Sequence, residues 1–551
     1  MAKKVFYDEE ARKRVLAGAE ILYSAVKTTM GPKGRNVVIG KGYGGPTVTH
    51  DGVTVAKGVD IDDKDDATLG YKVGAELIKQ AASKMNDVAG DGTTTVTVLT
   101  YHILSEANRL ISAGHSPMEL RKGLEKAAED VISKLKKTSK DVKGDKKQVA
   151  EVATISAGDK EIGDLIAEVI EAVGKDGVVT VEEGQSLSLE SEIVEGFTFD
   201  KGYVSPYMVS DTARMEAVVD KPAIVITDKK ISSVQEFLPI LEKLAQTGKK
   251  DVIIIADDVE GEVLGTLILN KLKGALNAVA VKAPAFGDRR KDVLGDIAIL
   301  TGGRVISEDT GDTFENVELD VIGSARKVIV TKDETTIIEG VGSAAAVKTR
   351  INEINAQAQS ASSDYDRDNL NKRKASLSGK VAVIKVGGAT ETEIEEKKFR
   401  VDDAVAAVKA ALDEGIVPGG GVTLVNLSDG VAISDNDELR YGKQLLKDAL
   451  LKPFYELMTN SGLNPDEWLP KLRDHQKVGF GVDVTSPNKI VDMVSQGIID
   501  PTRVTKEAIQ NSVSIAGTAM TMGALVVEVP EKTSAPAMPD MSGMGGGMGM
   551  M

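Results

Sequence analysis

The middle of the chain contains four short apolar runs of strand length, and long helical patterns lie on both sides of them. The runs occupy residues 223–227, 252–256, 278–281 and 327–331. Helical stretches at 234–244 and 262–272 separate several of these runs, which is the pattern of layered α/β structure. Because helical patterns with glycine-rich turns fill the first third and return after Lys385, we predict an α/β domain inserted into a helical one.

Two amphipathic helices are predicted in the first third. Their apolar residues recur every three to four positions, so that one face of each helix is apolar. These residues are Val15, Ala19, Leu22, Val26 and Met30 in the first helix, and Val96, Leu99, Ile103, Ala107 and Leu110 in the second. Gly31-Pro32 and Gly114 mark their ends. Short strands are predicted at 36–39 and 47–49, with a hairpin turn in the glycine cluster 40–45.

The composition excludes several classes of protein. The chain has 68 basic and 84 acidic residues, a net charge of −16 that repels nucleic acids and anionic membranes. It has no cysteine, which removes disulfides, thiolate metal sites and cysteine nucleophiles together. The N-terminus lacks the apolar stretch of a signal peptide, and the weakly charged stretch 511–527 is too polar for a membrane span. We therefore expect a cytoplasmic protein with no nucleic-acid or membrane partner.

The end of the chain, from Pro530, is rich in glycine and methionine. Such a segment cannot offset the entropy of ordering by packing, so we predict that residues 530–551 are disordered. Methionine suits adaptable contacts, although a frayed end without function is the simpler interpretation.

The clearest functional motif is the run Gly90-Asp-Gly-Thr-Thr-Thr95, which directly precedes the second amphipathic helix. Its glycines allow backbone amides to approach an anion, and a helix N-terminus carries partial positive charge. The three hydroxyls are donors for phosphate oxygens, and Asp91 is a candidate ligand for Mg²⁺. The alternative is an ordinary helix cap followed by a β-branched first turn.

A second carboxylate motif, Asp402-Asp403, precedes a strongly helical stretch at 404–412. A carboxylate in this position is ordinarily an N-cap. The functional alternative is that one of the two orients a water toward a terminal phosphate. Sequence spacing alone does not bring Asp403 near Asp91.

Taken together and in order, the motifs resemble those of the group I chaperonins, the GroEL-type family. The matching segments are residues 29–36, 51–52, 90–95, 283–290, 400–404, 415–421 and 500–504, followed by the Gly/Met-rich tail. Any one of them is a weak signal, but their ordered combination is highly specific and covers essentially the whole chain.

The resemblance implies a multidomain α+β fold, in agreement with the predicted insertion. Both chain ends, 1–137 and 414–529, would form a mainly helical equatorial ATP-binding domain. A small intermediate hinge domain would comprise 138–194 and 382–413. Residues 195–381 would form an inserted α/β apical domain that binds substrate.

The same resemblance implies an ATPase site. The residues implied to line it are Thr29, Met30, Gly31, Pro32, His50, Asp51, Asp91, Gly92, Thr93, Thr94, Thr95, Gly420, Asp483 and Asp500. Asp91 would hold Mg²⁺, and backbone oxygens near Thr29 would hold K⁺. Asp403 would move onto the γ-phosphate and activate the attacking water with help from Asp51, so that hydrolysis waits for domain closure.

The resemblance also gives the apical apolar residues a function. They match positions at which the family binds non-native polypeptide: Tyr203, Tyr207, Met208, Leu238, Leu241, Leu264, Ile268 and Leu269. Without the resemblance the core is the better interpretation, because helices that flank strands usually bury such residues. The implied partners are unfolded polypeptides, a GroES-type co-chaperonin and further copies of the chain in a seven-membered ring.

Three positions depart from the family pattern. His50 stands where many members carry Lys. The loop at 481–485 corresponds loosely to the adenine-side loop, with the register shifted by one residue after Asp483. Tyr455 and Asn464 stand where double-ring members commonly place an Arg and a Glu that pair across rings, so single and double rings are both open.

Two other functions are weighed against this one. A small-molecule kinase would use the loop at 90–95, but no His or Lys–Asp constellation is evident for its acceptor. A passive ring scaffold without ATP turnover is disfavoured by the presence of Asp51, Asp91, Asp403 and Asp500.

Overall fold

The structure, a computed structural model, describes residues 3–40, 46–142, 145–174, 177–184, 186–212, 214–361, 363–434 and 437–529. The chain divides into two units, one formed by Met1–Lys143 with Ala406–Met551 and the other by Gly144–Val405. The mixed α+β architecture confirms the predicted fold class. The predicted disordered tail, 530–551, and most of the predicted hairpin turn, 41–45, lie outside the described residues.

Helices make up most of the first unit and alternate with strands in the second. They are α1 Asp8–Val26, α2 Gly52–Gly58, α3 Tyr71–Ala89, α4 Thr93–Ser112, α5 Pro117–Thr138, α6 Lys146–Ala157, α7 Lys160–Val173, α8 Val234–Gln246, α9 Gly261–Leu272, α10 Asp288–Thr301, α11 Ala344–Ser360, α12 Asp364–Leu377, α13 Glu391–Glu414, α14 Val422–Asp429, α15 Arg440–Ala449, α16 Lys452–Asn460, α17 Pro465–His475 and α18 Thr502–Met520. Among the described residues, none of these helices has both the length and the apolar character that a bilayer crossing requires.

The strands are short in the first unit and longer in the second. They are β1 Lys3–Tyr7, β2 Val37–Ile39, β3 Thr47–Thr49, β4 Val178–Glu183, β5 Glu190–Phe199, β6 Ala217–Asp220, β7 Ala223–Ile226, β8 Lys230–Ile231, β9 Asp251–Ala256, β10 Asp258–Val259, β11 Asn277–Lys282, β12 Gly323–Val330, β13 Thr335–Gly340, β14 Lys380–Val386, β15 Ile416–Pro418, β16 Phe480–Val482, β17 Ile490–Asp492, β18 Ile499–Pro501 and β19 Ala524–Glu528.

The helical unit confirms the two predicted amphipathic faces. Val15, Ala19, Leu22 and Val26 of α1 are buried, and so are Val96, Leu99, Ile103 and Ala107 of α4. Helices α1, α3, α4 and α18 pack against one another along these faces, because an apolar stripe about 100° wide must be covered by a neighbour. The predicted strands at 36–39 and 47–49 are also present, and they pair antiparallel as β2 and β3.

The second unit is built on a mixed sheet. Among the described residues it has nine strands in the order β11-β9-β7-β12-β13-β5-β14-β4, with β6 beside β12. Strands β7, β9 and β11 are parallel, and helices α8 and α9 connect them as the alternating pattern predicted. The fourth predicted strand, β12, pairs antiparallel with β7. The inner strands are fully buried, which explains why they read as continuous apolar runs.

The N-cap interpretation of Asp402 and Asp403 is wrong. Helix α13 begins at Glu391, so both residues lie inside it. The cap is upstream, where Thr390 Oγ1 accepts the backbone N–H of Glu393 at 3.3 Å and the Glu393 carboxylate accepts that of Ala389 at 3.0 Å. Thr390-x-x-Glu393 therefore resembles a capping box, and the Glu- and Lys-rich stretch that follows propagates the helix without a break.

Candidate functional site

The loop at residues 90–95, called the threonine loop below, connects α3 to α4. Gly90 and Gly92 have φ of +68° and +83°, a left-handed conformation that favours glycine. The Asp91 carboxylate accepts the backbone N–H of Gly92 at 2.5 Å. Gly92 is the N-cap of α4 and has no side chain to make a capping hydrogen bond, so the structure is compatible with both interpretations of the loop, an anion site and an ordinary cap followed by a β-branched first turn. The first amides of α4, at Thr93–Thr95, are thus oriented as anion donors.

Asp51 and Gly52 lie against this loop. Asp51 caps α2, because its carboxylate accepts the backbone N–H groups of Val53 at 3.1 Å and Thr54 at 2.8 Å. A Cβ on Gly52 would lie 2.7 Å from Thr93 Oγ1 and 2.6 Å from Thr94 Oγ1. The N-terminal turns of α2 and α4 therefore meet, with a glycine where any side chain would displace the threonine hydroxyls.

The segment 27–34, called the Thr29 turn below, borders the threonine loop on another side. Thr29 Oγ1 lies 3.0 Å from Thr94 Oγ1. Gly31 and Pro32 follow, and the backbone N–H of Gly34 donates to the Gly31 carbonyl at 2.9 Å. A Cβ on Gly34 would lie 2.8 Å from His50 Cε1, so the His50 ring also borders this turn.

Met30 is the exception within the turn. Its side chain is buried in an apolar cluster with Phe454 and Leu457. The part of Met30 that can contact a ligand is consequently its backbone, and its side chain belongs to the core.

Asp500 brings a second carboxylate to Asp91. It lies on β18, opposite Val417 of β15, and a Cβ on Gly419 would be 2.9 Å from its Oδ1. Although part of its surface is accessible to solvent, burial and, to a smaller extent, the negative charge of Asp91 together raise the pKa of Asp500 to about 7. Two neighbouring carboxylates that repel each other favour the binding of a cation between or beside them.

Gly420 and Asp483 flank an apolar wall in the same unit. A Cβ on Gly420 would lie 2.7 Å from Met493 Cε, and Met493 is buried with Val482 and Val484. Asp483 closes a turn, because its Oδ1 accepts the backbone N–H of Thr485 at 2.9 Å and the Thr485 hydroxyl at 2.6 Å. The side chains of this wall are buried in the core, and the turn at Asp483 adds a polar group beside them.

Asp403 belongs to the other unit, 144–405. It is partly buried on α13, next to Asp402, which forms an ion pair with Arg214. Asp403 thus belongs to a different unit from the other predicted residues of the ATPase site.

The apical residues divide into exposed, half-buried and buried groups. Tyr207, Leu238 and Leu269 are exposed, and Leu241, Leu264 and Ile268 pack half-buried against the core. Tyr203 and Met208 are core residues, and Met208 has 0% of its surface exposed. For these two the prediction of a direct polypeptide contact does not fit the structure, because each completes the packing beneath α9 and β11.

The two departures on α16 and α17 have local partners. Tyr455 Oη donates to Asp466 Oδ1 at 2.9 Å, and Asn464 Oδ1 accepts the backbone N–H of Asp466 at 3.1 Å as the N-cap of α17. Both residues therefore have a role within the chain, whatever they contact in an assembly.

If the nucleotide implied by the resemblance binds here, Gly52→Ala should weaken its binding about tenfold or more, since overpacking a tight contact typically costs ~1–3 kcal/mol. The added methyl group would meet both Thr93 Oγ1 and Thr94 Oγ1. Titration of a fluorescent ADP analogue measures the change. The control is Gly295→Ala, because a Cβ at that helical position meets nothing within 4 Å. An unchanged affinity in Gly52→Ala would place the nucleotide elsewhere.

A family model described as the TCP-1/cpn60 chaperonin family matches residues 22–530. The matched range contains the threonine loop, the Thr29 turn, Asp500 and the whole of the 144–405 unit. In the described part of the chain, no group of three or more His, Cys, Asp or Glu side chains is placed to hold a metal by itself.

Proposed function

The chain belongs to the TCP-1/cpn60 chaperonin family, and we propose that it is an ATP-dependent protein-folding chaperonin of the group I, GroEL type. The observation that carries the ATPase part is the meeting of the threonine loop, Asp51 and the Thr29 turn at the N-termini of α2 and α4. Asp500 adds a second carboxylate beside Asp91. Backbone amides, hydroxyls and carboxylates in this combination suit a nucleoside triphosphate with its cation.

The residues fit ATP, Mg²⁺ and K⁺. Asp91 would hold Mg²⁺ together with phosphate oxygens, because Mg²⁺ is usually bound by one or two carboxylates plus substrate. Bound there, Mg²⁺ would neutralise negative charge on the phosphates. Backbone oxygens near Thr29 would hold K⁺, which also prefers oxygen ligands. The amides and hydroxyls of Thr93–Thr95 hold the phosphates, and the wall at Gly420 and Asp483 takes the base.

Hydrolysis depends on two further carboxylates in this proposal. Asp403 accepts the proton of the attacking water as the general base. Asp51 assists from a fixed orientation, because two backbone amides of α2 hold its carboxylate.

Capture of unfolded polypeptide is proposed on α8 and α9. The two helices contact each other and expose Leu238 and Leu269, while Tyr207 is exposed beside α9 with 71% of its surface accessible. The base of the groove between α8 and α9 is proposed to consist of the half-buried side chains of Leu241, Leu264 and Ile268. An apolar groove of this kind binds extended or helical segments with exposed apolar side chains.

The assembly proposed is a homo-oligomeric ring of seven chains, single or paired, in the cytoplasm. A GroES-type co-chaperonin covers the capture groove when ATP is bound, and the polypeptide is released into the enclosed chamber. The chain has a net charge of −16, and a chamber wall with the same excess of acidic groups would disfavour renewed binding of acidic clients.

We predict that the double substitution Leu238→Ser with Leu269→Ser abolishes capture of an unfolded protein and leaves ATP hydrolysis within about twofold of wild type. Both side chains are exposed, so their loss removes apolar contact area at little cost to folding. Suppression of aggregation of a denatured enzyme measures capture. Leu187→Ser is the matched control, because Leu187 is an exposed leucine of the same unit outside α8 and α9. Undiminished capture in the double variant would move the binding surface elsewhere.

A further inference from the structure

One face of α16 lies along the Thr29 turn and the end of α1. Glu456, Leu457 and Asn460 share this face, because residues three and four positions apart project from the same side of a helix. Tyr23 Oη donates to Glu456 Oε1, and the Leu457 side chain occupies the place that a Cβ on Gly31 would take. The third residue, Asn460, makes the most specific contact.

The Asn460 carboxamide bonds to the backbone of the turn twice. Its Nδ2 donates to the carbonyl of Lys27 at 2.9 Å and to that of Met30 at 3.1 Å. An Asn side chain has two N–H donors, so both are used on this turn. The Lys27 carbonyl also accepts the backbone N–H of Met30 at 3.2 Å, so Asn460 is a second donor to that carbonyl and a side-chain donor to the Met30 carbonyl.

These bonds determine where the chain leaves the helix. Lys27–Thr29 form a 3₁₀ turn, Met30 is extended with ψ of 124°, and Gly31 has φ of +83°. On the opposite side, the backbone N–H of Arg35 donates to the Thr28 carbonyl at 2.8 Å. The turn is therefore held from one side by its own backbone and from the other by Asn460.

We propose that Asn460 is a positioning residue for nucleotide binding. It holds the carbonyls of Lys27 and Met30, and thereby fixes Thr29 against Thr94 of the threonine loop, at 3.0 Å between the hydroxyl oxygens. Asn460 itself acts only through the turn. This inference rests on the proposed function, since it assigns the Thr29 turn to the nucleotide.

The sequence carries no signal for this role. Asn460 belongs to none of the motifs, and it is separated from Met30 by 430 positions along the chain. A purely structural role for Asn460 predicts that its shape matters, whereas the positioning role predicts that its two donors matter. The isosteric replacement Asn460→Asp separates the two, because it keeps the shape and replaces both donors with an acceptor.

The test compares Asn460→Ala and Asn460→Asp with the wild-type assembly. ADP binding is measured by isothermal titration, and amide hydrogen exchange is followed across residues 27–35. Both variants should bind ADP about tenfold more weakly and exchange the Gly34 and Arg35 amides faster, with kcat at saturating ATP within about twofold of wild type. Asn464→Ala is the matched control, because it removes the cap of α17 and leaves the turn untouched.

The outcomes are distinguishable. Wild-type affinity in both variants, or in Asn460→Asp alone, would overturn the positioning role. Faster exchange throughout the unit, equal to that in Asn464→Ala, would reduce Asn460 to a stability residue. If the wild-type assembly itself does not bind ADP, the proposed function fails first. Should the alanine variant not accumulate, the aspartate variant carries the same comparison.

Discussion

Replacing Asp403 with alanine should lower the rate of ATP hydrolysis at least about a hundredfold, while ATP affinity stays within about threefold of wild type. The reason is that a positioned general base contributes roughly 10²–10⁴-fold to a rate, whereas the groups proposed to bind the nucleotide belong to the other unit. Single-turnover release of phosphate measures the chemical step, and equilibrium titration with ADP measures binding.

The matched control for this experiment is Asp413→Ala on the same helix. Asp413 pairs with Arg503 at 3.3 Å near the surface, and exposed pairs contribute about 0–1 kcal/mol, so we expect less than a twofold change in rate. Native mass spectrometry of each variant should show the same number of chains as wild type. Normal turnover in Asp403→Ala would remove Asp403 from the mechanism and direct the search to Asp51.

Replacing Asp296 with alanine should lower the free energy of unfolding of the 144–405 unit by about 3–5 kcal/mol. Asp296 is 1% exposed. Its carboxylate accepts hydrogen bonds from the Nε–H of Arg350 at 2.7 Å and of Arg373 at 2.8 Å. These two bonds connect α11 and α12 to α10. Removing one partner of a buried ion pair is the costly case, but Arg350 keeps Glu353 at 3.1 Å and Arg373 keeps Asp292 at 3.0 Å. Both arginines keep some exposure, so the lower end of the range is expected.

The measurement is urea denaturation followed by far-UV circular dichroism and by tryptophan fluorescence. The chain has one tryptophan, Trp468, which lies in the other unit and serves as an internal reference. Because the protein has more than one unit, each transition is fitted separately, and the shift of its midpoint multiplied by its slope gives the change in the free energy of unfolding. Glu171→Ala, which removes a half-exposed partner of Lys146 at 2.6 Å, should shift neither midpoint measurably. Equal shifts for both variants would show that Asp296 contributes no more than a surface pair.

Periodicity predicted the local structure well wherever one face of an element is apolar. The faces of α1 and α4, the hairpin strands β2 and β3, and the parallel strands β7, β9 and β11 all follow from it. It failed at α13, where Asp402 and Asp403 were interpreted as a cap. The signal that locates the true start, Thr390-x-x-Glu393, is present in the sequence, but a second acidic pair before an alanine-rich stretch matched the same rule.

The candidate site was only partly predictable. The threonine loop could be found because glycine and threonine before an amphipathic helix have a direct physical meaning for anions. The burial of Met208 was missed, because the exposure of this methionine depends on neighbours distant in the chain. The contacts of Asn460 and Asp296 were missed for the same reason, since a hydrogen-bonding side chain does not reveal its partner.

The sequence by itself determined the order of the elements, the acidic and cysteine-free character of the chain, and the local conformation of the glycine loop. Each of these depends on residues a few positions apart, for which backbone sterics and side-chain periodicity decide the outcome. Only the tertiary structure decided that the pKa of Asp500 is raised by burial and by the neighbouring Asp91. It also decided that Gly52 lies against Thr93 and Thr94, and that α16 holds the Thr29 turn through Asn460. Those depend on packing between segments tens to hundreds of residues apart, where distance, burial and charge are set by the fold as a whole.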